Sequence, residues 1–299
     1  MNRLTVLMLA TGMALLLVVR TSAQEPPNGD PIAGARLYDA WYNEIDRMPP
    51  NGNHPLWETQ TANNRTGVST WRCVSCHGWD YKGAAGNYGP DSSEYTGFPG
   101  VIDMVGRSES EVRGWLDGTM NSSHDFSQFF SASEVKNLVT FLRTRLLDTD
   151  LLIDPVSGRA FGAVGRGHEL YQDQCLDCHG EDGSAVNFGS AKNPVFLGDM
   201  AQQDAWRLLH KTRFGQPNSD MPSADQLGSS LQDLSDILAY AQSLPALNPA
   251  TGDGGDSGGL DYSQQGDTTS IVIGAILIAA VVMGGLILNS IQRGTIQED

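Results

Sequence analysis

One five-residue pattern occurs twice in this chain, as Cys73-Val74-Ser75-Cys76-His77 and as Cys175-Leu176-Asp177-Cys178-His179. Two thiols three residues apart reach the two vinyl groups on one porphyrin edge. The histidine that follows lies over the iron, so C-x-x-C-H is the attachment signature of a c-type haem. The two motifs use all 4 cysteines of the chain, leaving none for a disulfide, a zinc knuckle or a catalytic thiol. A four-cysteine zinc site usually separates its C-x-x-C pairs by about 15–20 residues. Here about a hundred residues intervene. A thioredoxin-like pair needs a βαβ context that this sequence lacks. The expected cofactors are therefore two covalently bound haem c groups, linked through Cys73 and Cys76 and through Cys175 and Cys178.

The chain ends predict export and anchoring. Arg3 precedes an apolar run over 4–19, and Thr21-Ser22-Ala23 offers small residues for cleavage, so 1–23 reads as a signal peptide. Arg20 lies close to that cut, which keeps an uncleaved anchor as an alternative. Residues 271–288 carry no charge and match the length of a bilayer crossing. A single transmembrane helix is expected over 271–290, preceded by a Gly/Asp/Ser-rich flexible linker at 247–270 and followed by a cytoplasmic tail at 291–299. Arg293 in that tail agrees with the positive-inside tendency. Within the span, Ala275/Ala279 and Ala280/Gly284 form pairs of the small-x-x-x-small kind, which allow close helix contact but also arise from ordinary small-residue content. This places the globular part on the periplasmic or extracellular side of the cytoplasmic membrane.

A formal charge of −16 over 299 residues argues against nucleic acid and against docking on anionic lipid through a basic patch. It suits an electropositive partner, or solubility alone.

The haem motifs sit in two diverged copies of one unit. Gly34-Ala35-Arg36-Leu37-Tyr38 matches Gly167-His168-Glu169-Leu170-Tyr171, and Ile102-Asp103-Met104 resembles Gly198-Asp199-Met200. A helical stretch with Trp115 or Trp206 follows, then Gly118 or Gly215. Each copy closes with apolar residues at helical spacing, over 133–146 and 230–244. The expected domains are 28–147 and 155–246, joined by an acidic segment at 148–154. The first holds an insertion at about 40–70, rich in Pro, Asn and Gly, which reads as a loop that either docks a partner or covers the haem.

The order of helix, C-x-x-C-H, loop and closing helix with an aromatic resembles the class I c-type cytochromes in a membrane-anchored dihaem arrangement, across roughly 30–246. The resemblance implies a mostly α fold of two tandem haem domains plus the C-terminal transmembrane helix. It also implies a proline supporting each proximal histidine: Pro194 in the second copy, Pro99 or Pro90 in the first. Such families place a thioether ligand in a Met-Pro loop before the last helix. Met221-Pro222 fits this, giving His179 and Met221 on the second iron, with Met200 as the rival. The first copy has no Met-Pro after Cys76. Six residues beyond Gly215 lies Met221, and six beyond Gly118 lies His124. The first iron is therefore assigned His77 and His124, with Met120 as the alternative and His54 in reserve. His168 and His210 read as ordinary surface or core histidines.

Two six-coordinate irons leave no position for a substrate. The chain is thus expected to transfer electrons between a respiratory complex and another redox partner, with no small-molecule substrate and no catalytic residue. The alternatives are a haem subunit of a larger membrane redox enzyme complex, or a dihaem peroxidase-like enzyme whose first sixth ligand swings away. Imidazole is the stronger donor, so the first haem is expected at the lower potential.

Overall fold

The computed structural model describes residues 29–247. The signal peptide expected at 1–23 and the span expected at 271–290 lie outside the described residues, as do nearly all the linker and the whole tail. Among the described residues no helix is long and apolar enough to cross a membrane. Their regular structure is helical, and strand pairing is limited to isolated bridges.

The first unit opens with α1 (Pro31–Glu44), started by Asp30, whose carboxylate accepts the Ile32 and Ala33 N–H groups. The helix α2 (Cys73–His77) is little more than the haem motif. Then come α3 (Glu109–Leu116) and α4 (Ala132–Thr144). The second unit repeats this with α5 (Val164–Gln174), α6 (Leu176–His179), α7 (Leu197–Gln203), α8 (Ala205–Phe214) and α9 (Leu231–Ser243). The closing helices each start one residue away from where periodicity put them, because capping fixes the first turn. Ser131 and Glu134 form a reciprocal box at α4, and Ser230 and Asp233 form one at α9. Each such cap contributes about 1 kcal/mol.

In each copy the first helix crosses the last, α1 on α4 and α5 on α9. The crossing needs glycine. A Cβ on Gly34 would stand 2.2 Å from the Asn137 carbonyl oxygen, and one on Gly167 would stand 1.9 Å from that of Asp236. The matched tyrosines also act alike. Tyr38 donates to the Gly78 carbonyl and Tyr171 to that of Gly180, each at 2.6 Å, pinning the first helix to the end of the haem motif.

The insertion is shorter than expected and is packed. Residues 40–44 belong to α1, so the extra segment starts after the helix. It carries 3₁₀ turns at Trp57–Thr59 and Gly67–Trp71. Trp57 donates to the Arg65 carbonyl, and Trp41 reaches across to that of Trp71, both at 2.8 Å. The acidic joint is ordered as well: Lys82 binds Asp148 at 2.6 Å and Asp150 at 2.8 Å, and Ile153 behind them is fully buried. One apolar cluster runs through both units without a break.

Candidate haem-binding sites

Each C-x-x-C-H helix faces a cavity. The first, of about 340 Å³, is walled by Cys73, Cys76, His77, Phe98, His124 and Phe126, with His54 and Arg72 beside them. His77 Nδ1 lies 2.7 Å from the Pro99 carbonyl oxygen, so Pro99, not Pro90, supports this histidine. His124 Nδ1 lies 2.7 Å from the carbonyl oxygen of Trp115. A ring that donates from Nδ1 keeps the Nε2 lone pair for a metal. The two ring centres are 6.2 Å apart. An imidazole nitrogen bonds a first-row metal at about 2.0 Å and sits roughly 1.1 Å from its own ring centre, so two imidazoles across one ion have centres about 6.2 Å apart. The pair thus stands at the separation that one shared iron requires. Burial, and then the neighbouring imidazole, push His77 down to about 4, and burial also lowers His124. Both rings are therefore neutral, the form that binds metal.

Met120 is not in this wall. Its side chain is 55 % exposed, on the turn after α3, so the alternative sixth ligand is set aside by position. The loop that presents His124 closes on itself, with Phe126 N–H donating to the Leu116 carbonyl at 2.8 Å and Asp125 accepting from Ser127 N–H to form a turn. His54 is not on a mobile loop. It is 4 % exposed, edge-on to Trp71 at 4.7 Å and stacked on Phe126 at 5.3 Å. Its Nδ1 accepts from Leu56 N–H, and its buried Nε2 makes no hydrogen bond within the protein. With His54, Leu56 and Thr70 in the cavity wall, the insertion acts as a cover for this site.

The second cavity, of about 430 Å³, gathers His179, Phe188, Met200, Arg207, Lys211 and Met221. His179 Nδ1 is buried and has no hydrogen-bond partner, so the Pro194 carbonyl does not hold it as the resemblance implied. Burial lowers the His179 pKa and keeps this ring neutral. Both candidate methionines line the wall. Met200 is 4 % exposed on α7 and is part of the apolar core, whereas Met221 lies half-buried on the loop between α8 and α9. That loop leaves α8 through Gly215 (φ +82°), where a Cβ would stand 2.7 Å from the Met221 carbonyl oxygen.

The four cysteines form no disulfide with one another. Burial pushes Cys73 and Cys76 up to about 12 and Cys175 up to about 11. Among the described residues no group of three or more His, Cys, Asp or Glu side chains could hold a metal ion.

Several residues around these sites were not singled out from the sequence. Arg36 on α1 donates from Nε to the Phe214 carbonyl at 2.9 Å and from Nη2 to that of Met221 at 3.4 Å, so the first unit grips the methionine loop of the second. Glu44 accepts from Asn218 N–H on the same loop at 3.3 Å. His210 is a core histidine between the units, accepting from the Tyr81 hydroxyl at 2.8 Å and lying 3.2 Å from the Ala35 carbonyl oxygen. These contacts span 129 to 185 residues of sequence. The one local signal is that Arg36 and Asp39 depart from the matched Glu169 and Gln172 in an otherwise repeated helix.

Two families match the chain. Residues 62–145 match the cytochrome c model, and residues 162–240 match the model described as cytochrome C oxidase, cbb3-type, subunit III. No curated protein matches the chain.

Proposed function

The chain belongs to the c-type cytochromes, with two cytochrome c domains in tandem, and on that footing we propose that it is a dihaem electron carrier, tethered at the outer face of the cytoplasmic membrane and serving a respiratory oxidase complex. The observation that carries this reading is the pair His77 and His124, whose ring centres are 6.2 Å apart and each of which is tied back to a backbone carbonyl. With a haem bound there, these two imidazoles would hold its iron and leave no position for a substrate.

In this reading Cys73 and Cys76 form the thioether links of the first haem, with His77 and His124 on its iron. Cys175 and Cys178 hold the second, with His179 and Met221. Bound there, each haem supplies reversible one-electron exchange. The chain sets the order of the two potentials through its ligands. Two imidazoles favour the ferric state, whereas a thioether favours the ferrous state, so the first site is the lower in potential and the donor of the pair. The signal peptide at 1–23 and the span at 271–290 would carry the domains outward and hold them near the membrane, raising their effective concentration at a complex. The match over 162–240 to a family named for a cbb3-type oxidase subunit supports that class of partner.

The test uses the full chain matured in a host competent for cytochrome c assembly. Its mass is expected to exceed the polypeptide by two haems. Near-infrared magnetic circular dichroism of the oxidised protein should show one bis-histidine and one histidine–methionine iron, and His124→Ala should abolish the bis-histidine signal alone. Rapid carbon monoxide binding to the reduced protein would overturn the carrier reading in favour of catalysis. Two equal, high potentials would overturn the assigned order.

A further inference from the structure

Asp39 lies on α1 where the two units meet and is 1 % exposed. Its carboxylate is shared by two buried cations. Arg72 bonds Oδ1 through Nη2 and the Asp39 carbonyl through Nε at 2.7 Å. Lys211, from α8 of the other unit, bonds Oδ2 at 2.5 Å. Arg72 precedes the first C-x-x-C-H helix and lines the first cavity. Lys211 lines the second. Trp79 fills the angle between them, 5.6 Å from the Arg72 guanidinium and 5.5 Å from Lys211 Nζ. One buried carboxylate therefore touches a cation of each cavity without lining either.

A haem brings its own carboxylates, the two propionates. A guanidinium and an ammonium in the cavity walls are the donors that such anions take, more strongly in a low-dielectric interior than in water. One carboxylate faces two cations here, and Lys211 also donates to the Gln216 side-chain oxygen, so the three charged groups together carry a net positive charge. Burial, only partly offset by Asp39 and joined by the nearby Arg207 and Arg72 charges, pushes Lys211 down to about 8.

Resting on the dihaem reading above, we propose that Asp39 is the electrostatic link between the two haem sites: it positions Arg72 as a propionate donor at the first and Lys211 as a propionate donor at the second, so that one residue sets the potential of both. Removing its charge leaves more positive charge at each cavity. That favours the reduced iron, so both potentials rise together.

The experiment is a spectroelectrochemical titration of the full holoprotein, with resonance Raman spectra to follow the propionate bending modes. Asp39→Asn is expected to raise both potentials and to shift the bending modes at both sites, and Asp39→Glu to restore both toward wild type. A shift at one site only, or at neither, overturns the proposal while the absorption spectrum still shows two intact six-coordinate haems. Should Asp39→Asn fail to fold, Arg72→Gln and Lys211→Gln decide. Each is expected to move both potentials, with the larger shift at its own cavity, and a shift confined to that cavity overturns the link. A wild-type protein that takes up no haem removes the functional reading itself, and this proposal with it.

Discussion

Replacing Arg36 by alanine removes the grip of the first unit on the methionine loop of the second. The side chain contributes two hydrogen bonds from a charged donor, 2.9 Å to the Phe214 carbonyl and 3.4 Å to that of Met221. Bonds to charged groups are worth about 1.5–3 kcal/mol each, but the second is long and the site only part-buried, so we assign about 2 kcal/mol to the pair. If Met221 ligates the second iron as proposed, that energy favours the closed loop over an open one in which the methionine has left. Losing it raises the open fraction by about thirtyfold. Exogenous imidazole binds the oxidised iron only where the methionine has gone, so its apparent affinity scales with that fraction. An imidazole titration of oxidised Arg36→Ala holoprotein should therefore show roughly thirtyfold tighter binding at the second site and no change at the first. Arg36→Lys keeps the charge but lacks the fork, and should fall between. An Arg36→Ala protein whose second site binds imidazole as wild type does, with its thermal midpoint lowered, would refute the reasoning: Arg36 would then stabilise the fold without holding the ligand.

Two further outcomes follow from the packing. Gly167→Ala drives a Cβ onto the Asp236 carbonyl oxygen, which should destabilise the second unit by about 1–3 kcal/mol in urea melts, whereas Gly165→Ala, with open space around its Cβ, should be neutral or slightly stabilising. Burial pushes His210 down to about 3, against roughly 6.5 in an unfolded chain, so between those values the unfolded state binds a proton that the folded state refuses. Its contribution is complete above about pH 6.5 and is lost as pH falls toward 3. Urea midpoints between pH 5 and pH 6.5 should thus rise with pH in wild type, and His210→Gln should flatten that slope by up to about 1.4 kcal/mol per pH unit. An unchanged slope would show that another group titrates.

The parts of this molecule that could be read from the chain are those written locally. The haem motifs are five consecutive residues. The equivalence of the two copies rested on Gly34 with Gly167 and Tyr38 with Tyr171, and in the structure each pair makes the same contact. His124, six residues beyond Gly118, lines the first cavity with His77, their ring centres 6.2 Å apart. What could not be read is non-local. Nothing near Pro99 or Pro90 says which carbonyl meets His77. His54 looked like a loop histidine because its burial depends on Trp71 and Phe126, which arrive from elsewhere in the chain. Arg36 and Asp39 gave no sign of their roles in the sequence, since the groups they meet across the boundary lie far along the chain.

That difference explains how two similar copies come to do different work. Arg36 grips the Met221 loop across the boundary, while its counterpart Glu169 pairs only with Arg166 on its own exposed helix face. Asp39 takes Lys211 across the boundary, while its counterpart Gln172 meets only the exposed His168. Arg36 and Asp39 therefore have no counterpart in the second copy that reaches across the boundary, while the second copy contributes Lys211, His210 and Arg213, which donates to the Arg145 carbonyl at 2.9 Å. Separating the units would part the buried Asp39 and Lys211. It would also expose His210 and the aromatic rings packed around it. If both cavities hold haem as proposed, these contacts would hold the two haems at one separation, so that exchange between them would not depend on rare close approaches of a flexible joint. Lys82 clamping Asp148 and Asp150 stiffens the connecting segment in the same sense.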